Sequence, residues 1–365
     1  MEFTNTTKVF TCIQCGKCTG GCPESGRTPL NVRLIVRKNQ FGAQVKNSHL
    51  WYCTSCGTCT VRCPRDVKPS EVIFDMRSTL VESGDISTSI QKALENTFLQ
   101  KNPWGRARSK RAEWAEKSGV AIKHISDTLE KRLLLSCCVH AYDPRCHVIP
   151  VNISKLLTYS GIEFGILGEE ECCCGNEIRR IGEKGLFEEL REENISNFNR
   201  YDVREILTLS PHCMNTLKKE YNLPKLKVYH YTQLLWDMIR EGVVKIGKDY
   251  KKRVAYHDPC FLGKQNGIFE EPRYILKSIE GLELLEFSRS RENSLCCEGG
   301  GGRMFYEVEV QYERNAKIRV EEAYELGVQT IVVSCPFCLM TLEEQAVEKG
   351  IEVKDISEIL VEVLE

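Results

Sequence analysis

Short apolar runs alternate with amphipathic stretches over the last two thirds of the chain. Four of these runs are expected to be short buried strands: residues 131–136, 204–210, 252–256 and 329–334. Helical patterns lie between them, among them residues 186–198 and 308–326. Alternation of strands and helices predicts α/β units with parallel sheets.

The first 100 residues follow another pattern, with helical periods and few signs of strands. Residues 32–37 are more helical than strand-like, and a second helix is expected over residues 70–82, directly after Pro69. Residues 101–130 are polar and basic and are expected to form a linker. We therefore expect an α+β multidomain protein, with a mostly helical first domain at residues 1–100.

The region after the linker is a repeat. Three landmarks recur: Cys137 with Cys260, the pair Cys173-Cys174 with Cys296-Cys297, and Cys213 with Cys338. The first two landmarks are 36 residues apart in both halves, and the halves are offset by 123 to 125 residues. This recurrence predicts two similar α/β domains, residues 131–250 and 251–365. Each would present cysteines from loops at strand ends, where open α/β sheets bind ligands.

Composition excludes some functions. Of 365 residues, 42% are hydrophobic and 28% are charged, as is ordinary for a globular protein. The net charge of −1 gives no sign of nucleic acid as a partner. No stretch has the ~20 apolar residues of a membrane span, and residues 1–10 lack the pattern of a secretory signal. We therefore expect a cytoplasmic protein without a transmembrane segment of its own, at most peripheral to the membrane through a partner.

The twenty cysteines are the unusual feature of the composition. They lie in tight groups, and adjacent pairs such as Cys137-Cys138 would form strained disulfides with each other. Closely spaced thiolates in a reducing compartment are typical of metal ligands.

Two runs in the first 65 residues have the form C-x2-C-x2-C-x3-C-P, which is the spacing of a bacterial two-cluster ferredoxin. In such runs three cysteines bind one cubane and the fourth binds the other. Two [4Fe–4S] cubanes are therefore expected, one on Cys12, Cys15, Cys18 and Cys63, the other on Cys53, Cys56, Cys59 and Cys22. Zinc fits poorly, because it needs only four ligands. With a helical stretch between its runs, this domain resembles the helical ferredoxins of respiratory reductases.

A second group of cysteines exceeds the needs of zinc or of one cubane: Cys260, Cys296, Cys297, Cys335 and Cys338. Its spacing resembles the cysteine-rich CCG domain of heterodisulfide reductases and their relatives. This resemblance implies a non-cubane [4Fe–4S] cluster held by five thiolates.

The first repeat departs from that pattern. It has Cys137, Cys173, Cys174 and Cys213, but Ser210 stands where the second repeat has Cys335. Three further cysteines lie nearby: Cys138, Cys146 and Cys172. One of them could replace the missing thiolate, Ser210 could offer its oxygen, or the site could hold another cluster or none. The extra cysteines could equally be small buried side chains, and the leading cysteine could be the one at 138 instead of 137.

Histidines flank the cysteines of both repeats, at His140, His212 and His257. They could be hydrogen-bonded structural residues or proton donors to a departing thiolate. Gly175, Gly299 and Gly300 follow the paired cysteines, and we expect them to let backbone approach a cluster or substrate.

The whole chain resembles a ferredoxin subunit fused to a two-CCG catalytic subunit, which is the arrangement of the D-type subunit of heterodisulfide reductases. The resemblance implies that electrons arrive through two cubanes and reduce a disulfide, such as the CoM-S-S-CoB of methanogenesis, at one or two non-cubane clusters. Catalysis is then expected at Cys174 and Cys297, with His212 and His257 as proton donors. The implied partners are a flavin or ferredoxin-type electron donor, or a cytochrome b-type membrane subunit, and a small disulfide substrate.

Two alternatives share this layout. Iron–sulfur subunits of 2-hydroxyacid and glycerol-3-phosphate dehydrogenases only relay electrons from a flavin subunit, and membrane-linked sulfur-metabolism complexes contain similar subunits. The chain shows no flavin fingerprint in a strand-to-helix setting, so any flavin is expected on a partner.

Overall fold

The computed structural model describes residues 8–306, 308 and 312–364. Residues 1–7, which include most of the segment judged above for a secretory signal, lie outside the described residues. The same holds for residues 307, 309–311 and 365. Among the described residues, every helix is too short or too polar to cross a membrane.

The N-terminal domain is helical. Its α-helices are α1 (Lys17–Gly21), α2 (Val32–Gln40), α3 (Asn47–Leu50), α4 (Thr58–Val61), α5 (Pro69–Glu82) and α6 (Thr88–Gln100). Both predicted helices are confirmed, in α2 and α5. The start of α2 is fixed by Asn31, whose side chain accepts a hydrogen bond from Leu34 N. Both helices bury apolar side chains, Ile35 from α2 and Ile73 and Phe74 from α5.

The stretch at residues 101–130 is more ordered than the predicted linker. It contains α7 (Glu113–Glu116) and β1 (Lys123–His124), and β1 pairs in parallel with the strand Gly165–Ile166. Trp114 and Ile125 are buried in the core of the following domain. The expectation of a plain connector is therefore wrong for this part, because two apolar side chains anchor an otherwise polar segment.

The first α/β unit is a parallel sheet in the order β1-β3-β2-β4-β5. Its further strands are β2 (Arg132–Leu135), β3 (Gly165–Ile166), β4 (Glu205–Thr208) and β5 (Lys227–His230). Its helices are α8 (Cys138–Tyr142), α9 (Val148–Tyr159), α10 (Asn176–Ile181), α11 (Lys184–Arg200), α12 (Pro211–Lys219) and α13 (Tyr231–Arg240).

The second α/β unit repeats this plan with a parallel sheet in the order β7-β6-β8-β9. Its strands are β6 (Arg253–Tyr256), β7 (Glu283–Leu285), β8 (Thr330–Val333) and β9 (Glu352–Asp355). Its helices are α14 (Gly263–Asn266), α15 (Glu270–Lys277), α16 (Asn315–Glu325), α17 (Pro336–Ala346) and α18 (Ile356–Val363). All four predicted strands are confirmed, as β2, β4, β6 and β8, and so is the α+β fold class.

One predicted helix is too long at its start. Residues 308–326 were expected to be helical, but α16 begins at Asn315, and residues 309–311 lie outside the described part of the chain. Asn315 N donates a hydrogen bond of 2.8 Å to the buried carboxylate of Glu298. This acceptor, which is distant in sequence, fixes the first turn of the helix.

The sheets position the cysteines. In both sheets two adjacent interior strands end directly before cysteine-bearing loops, β2 and β4 in the first unit and β6 and β8 in the second. Because parallel strands have their carboxyl ends at one edge of the sheet, each unit gathers its cysteines at a single edge.

Candidate metal centres

The ferredoxin-type cysteines form two groups in the N-terminal domain. One cavity is lined by Cys12, Cys15, Cys18 and Cys63, here called the outer set. A second cavity is lined by Cys22, Cys53, Cys56 and Cys59, here called the inner set. The structure thus brings the cysteines together as their spacing predicted, with the fourth cysteine of each run crossing to the other group.

The two sets differ in their access to solvent. Cys15 of the outer set is exposed, whereas Cys53, Cys56 and Cys59 of the inner set are buried. Burial raises the pKa of Cys53 to about 11 and that of Cys59 well above its ordinary value. A partner can therefore approach the outer set directly, while the inner set faces the rest of the protein.

The five cysteines of the second repeat, here called the second-repeat set, form a continuous series of thiol contacts. Cys260 contacts Cys296, and Cys296 contacts Cys297. Cys338 lies 3.2 Å from Cys297 and also contacts Cys335. Hydrogen bonds from Cys296 and Cys338 hold the pKa of Cys297 well below its ordinary value. Five soft donors converging in this way fit an iron–sulfur cluster.

Five cysteines of the first repeat, here called the first-repeat set, are also in contact. Cys138 donates to Cys173, and Cys173 donates to Cys174. Cys213 contacts both Cys174 and Cys137. The hydrogen bond from Cys213 is the largest cause that holds the pKa of Cys137 well below its ordinary value. Both candidate leading cysteines, at 137 and 138, therefore belong to this set.

A cavity adjoins the first-repeat set. Besides all five of its cysteines, Ser210 and the rings of Trp104, Phe305 and Phe337 line it. The other two cysteines of this repeat, Cys146 and Cys172, are buried outside this lining, and burial raises the pKa of each thiol. They fit the interpretation as small buried side chains.

His212 connects the two repeats. It follows Pro211 at the start of α12, contacts Cys335 of the other repeat, and lies 3.0 Å from the Glu177 carboxylate. Burial alone would lower its pKa, but the hydrogen bonds to Cys335 and Glu177 raise the pKa of His212 to about 10. Its ring also stacks on Phe261, with ring centroids 4.0 Å apart.

The other two histidines have different surroundings. A ring nitrogen of His257 lies within 4.8 Å of the sulfurs of Cys297 and Cys338. Burial lowers the pKa of His257 to about 3, so this ring is neutral at physiological pH. His140 Nδ1 lies 2.7 Å from the Ser136 carbonyl oxygen. His140 therefore has a structural hydrogen bond.

Glycines bring the inner set against the second repeat. A Cβ atom at Gly300 would lie 2.8 Å from the Thr54 carbonyl oxygen, and one at Gly301 would lie 2.5 Å from that of Cys53. Gly299 packs equally closely on Phe337. Glycine is required here because backbone approaches backbone, beside the cysteines of the inner set. At this junction the Cys56 thiol contacts Cys296.

Gly175 has a local role in the first repeat. Its φ of +76° favours glycine, and its N–H donates to Cys173 Sγ at 3.3 Å. Glu298 takes the corresponding place in the second repeat, with a φ of +70° and its N–H 3.3 Å from Cys296 Sγ. The loops after the paired cysteines therefore share one conformation.

Arg77 is a residue that sequence reasoning missed. Its buried guanidinium donates hydrogen bonds of 2.8–2.9 Å to four carbonyl oxygens, those of Leu50, Cys53, Arg180 and Gly301. These acceptors come from the ferredoxin-type domain and from both repeats, so one side chain fastens all three parts beside the inner set. An arginine within an amphipathic helix carries no sign of such a role.

Arg111, in the expected linker, is a second such residue. Its guanidinium lies 2.7 Å from Glu171 and 3.5 Å from the Cys138 sulfur, with both ionic groups buried. Glu171 also accepts hydrogen bonds from the backbone N–H groups of Ser136 and Cys137. This pair therefore orients the loop that carries two cysteines of the first-repeat set.

Removing Arg111 should destabilise the first repeat. Arg111→Met leaves the Glu171 carboxylate buried without its ionic partner, and we expect a loss of about 3–5 kcal/mol in the free energy of unfolding. The control is Arg204→Met, because Arg204 pairs with Asp202 at an exposed position, and its loss should cost at most about 1 kcal/mol. Urea unfolding followed by circular dichroism measures both. Equal effects of the two substitutions would contradict the account.

Models of known protein families match the segments that carry the cysteine sets. The model of the CCG cysteine-rich domain matches residues 133–218 and again residues 254–343, and the model of the 4Fe-4S dicluster domain matches residues 8–67. The chain joins a 4Fe-4S dicluster domain to two CCG domains. The resemblance to the D-type subunit of heterodisulfide reductases is confirmed by relatives that bear this name.

Three relatives show which kinds of protein the chain is similar to. The D-type subunit of the dihydromethanophenazine:CoB–CoM heterodisulfide reductase of Methanosarcina barkeri is 29% identical over 97% of this chain and 93% of its own length. The EtfAB:quinone oxidoreductase of Syntrophomonas wolfei is 34% identical over 80% of this chain, and the probable iron-sulfur-binding oxidoreductase FadF of Bacillus subtilis is 29% identical over 96%. The chain spans only 43% and 59% of the length of these last two. All three relatives are named as oxidoreductases or oxidoreductase subunits, and each matches at least 80% of this chain.

Proposed function

We propose that the chain is an iron–sulfur oxidoreductase subunit that receives single electrons at its ferredoxin domain and reduces a disulfide between its two CCG domains. The observation that carries this proposal is the meeting of the two CCG cysteine sets at His212. That histidine belongs to the first domain, next to Cys213, and contacts Cys335 of the second. A disulfide needs two electrons and yields two thiols, which suits two adjoining sites.

The donor sets support the cofactors. The outer and inner sets offer four thiols each, as two [4Fe–4S] cubanes require, and the second-repeat set offers five, as a non-cubane [4Fe–4S] cluster would. Such clusters, when bound, take up and release one electron at a time. In this proposal the first-repeat set holds a second non-cubane cluster.

The arrangement of the sets supports a direction for electron entry. The outer set is the accessible one, through the exposed Cys15, and the inner set lies behind it. The contact of Cys56 with Cys296 then joins the inner set to the second-repeat set. In this proposal electrons pass from the outer set through the inner set to the second-repeat set.

The reaction is R–S–S–R′ + 2 e⁻ + 2 H⁺ → R–SH + R′–SH, so protons are needed as well as electrons. His212 reaches the second-repeat set, and the Glu177 carboxylate 3.0 Å from its Nδ1 favours the protonated ring. Its role in this proposal is to hold a proton at the place where the two sets meet. His257 is neutral and fits a hydrogen-bonding role beside Cys297 and Cys338.

His212→Gln should therefore slow disulfide reduction. Glutamine retains a hydrogen bond but supplies no proton, and we expect the rate to fall about 100-fold. The pH dependence of the remaining rate should also change, while reduction of the cubanes by viologen stays normal. His124→Gln, in the partly exposed β1, serves as the control. An unaltered rate and pH profile in His212→Gln would exclude this role.

The proposal is tested with the isolated, iron-loaded chain. Reduced viologen supplies electrons, and a panel of small disulfides, including CoM-S-S-CoB, serves as acceptors. We expect viologen oxidation that depends on one of these disulfides, with two thiols formed for each disulfide consumed. Viologen oxidation that stays at background with every disulfide, in a chain shown to hold its iron, would contradict the proposal.

An electron relay is the second candidate, favoured by the names of two relatives. EtfAB:quinone oxidoreductase and FadF both match most of the chain, and the first has the highest identity of the three relatives above. In this case a flavin-bearing or ferredoxin-type donor would reduce the outer set, and a quinone or a cytochrome b-type subunit would accept the electrons. Reduction of a quinone analogue without any disulfide activity would favour it over disulfide reduction.

A further inference from the structure

The first CCG domain has Ser210 where the second has Cys335, yet five thiols meet in both domains. The sequence offers more than one way to align the two sets, because Cys137 and Cys138 are adjacent. The registers of the two sheets provide an alignment that depends on the last cysteine of each domain and not on the leading one.

The central strands of the two sheets can be superposed by their pairing. Leu134 of β2 pairs with Leu207, and Tyr256 of β6 pairs with Val332. Leu207 and Val332 are each six residues before the last cysteine of their domain, so they are equivalent. Leu134 and Tyr256 are then equivalent as well.

This register assigns the leading cysteine. Four residues after Leu134 is Cys138, and four residues after Tyr256 is Cys260. Cys138 is therefore the counterpart of Cys260, and Cys137 falls at the place of Pro259. Cys137 is thus an extra cysteine, with no counterpart of its own type in the second domain.

The thiol contacts show which place the extra cysteine takes. In the second domain the contacts run in the order Cys260, Cys296, Cys297, Cys338, Cys335. In the first domain they run in the order Cys138, Cys173, Cys174, Cys213, Cys137. The first four positions match by alignment. The fifth position is occupied by Cys335 in one domain and by Cys137 in the other.

The backbone at Cys137 is unusual in a way that fits this placement. Its φ is +66°, in the left-handed region that cysteine rarely adopts. The conformation is held by a hydrogen bond of 3.1 Å from Cys137 N to the buried Glu171 carboxylate. Such disfavoured backbone persists where the surrounding structure enforces it, often at functional sites.

We propose that Cys137 supplies the fifth thiolate of the first CCG site, in the place that Cys335 has in the second, and that Ser210 is not a ligand. The inference rests on the proposed function only in requiring that the first-repeat set hold a cluster. It makes no use of the substrate, so iron content can test it separately from activity.

The experiment measures iron and acid-labile sulfide per chain, with EPR spectra, after anaerobic reconstitution of the full chain. Cys137→Ala should lose about four irons, one cluster's worth, whereas Ser210→Ala should keep the wild-type content. Cys172→Ala removes another buried cysteine of the same domain and serves as the control. The double variant Cys137→Ala/Ser210→Cys carries a cysteine at position 210, which is equivalent to Cys335 of the second domain. This cysteine should supply the fifth thiolate, and the iron content should return to that of the wild type.

Three results with the variants would overturn the inference. These are full iron with an unaltered EPR spectrum in Cys137→Ala, loss of iron in Ser210→Ala, or a double variant that stays deficient although its circular dichroism is that of the wild type. If Cys137→Ala does not fold, the iron contents of Ser210→Ala and of the double variant decide whether the inference holds. A wild-type chain with about 12 irons, unchanged by Cys137→Ala, would also reject the inference. The disulfide assay would then still decide the proposed function.

Discussion

Cys297→Ser is expected to abolish disulfide reduction while leaving the ferredoxin domain intact. Cys297 is at the centre of the second-repeat set, between Cys296 and Cys338, and its contacts with these two thiols hold its pKa well below its ordinary value. Serine offers a harder oxygen that iron–sulfur clusters bind poorly. The viologen-linked assay should therefore fall to its background rate with every disulfide.

The control for this substitution is Cys146→Ser, which changes a buried cysteine away from both sets. It should retain activity and iron. The cubane EPR signals of Cys297→Ser should match those of the wild type, since the outer and inner sets are unchanged. Full disulfide reduction in Cys297→Ser, with the second-repeat iron gone, would place the chemistry elsewhere.

Arg77→Met is expected to separate the ferredoxin domain from the CCG domains. The substitution removes the guanidinium donor from four buried carbonyl oxygens. Leu50 O keeps a hydrogen bond of 3.3 Å from Cys53 N, and each acceptor left unsatisfied costs about 1–3 kcal/mol. It also removes the contact of the guanidinium with the Trp51 ring, 4.7 Å from its centroid. We expect the contacts between the ferredoxin domain and the CCG domains to be weakened by several kcal/mol of free energy.

Hydrogen exchange followed by mass spectrometry would measure this separation. Faster exchange is expected in residues 50–54 and 299–302, which pack on each other, and disulfide reduction should become slow although both parts keep their iron. Arg37→Met, at an exposed position on the same domain and outside the cavity of the outer set, is the control. Wild-type exchange in both segments, with wild-type activity, would show that Arg77 does not hold the junction.

Local patterns in the sequence predicted the parts of the structure that depend on local physics. The four strands and the helices α2, α5 and α11 follow apolar periods in the sequence. The short spacings between the ferredoxin cysteines predicted that they would lie together. The crossing of Cys22 and Cys63 between the two groups was also predictable, since the motif itself carries it.

Contacts between distant segments could not be predicted in this way. The link from His212 to Cys335 depends on how the two repeats pack, and the role of Arg77 depends on three domains meeting. The burial of Trp114 could not be predicted, because the residues around it in the sequence are mostly polar. The choice between Cys137 and Cys138 was open because they are adjacent. The 36-residue spacing favoured Cys137 as the counterpart of Cys260, whereas the sheet register assigns that place to Cys138.

The most direct test of the account is a single turnover without external reductant. The iron-loaded chain is reduced through its ferredoxin domain, freed of excess reductant, and mixed with the disulfide that the assay identifies, while the cubane EPR signals and the free thiols are followed together. The account predicts that the cubane signals disappear as thiols form, with two thiols for every two electrons lost. Reduced cubane signals that persist beside an intact disulfide would contradict it.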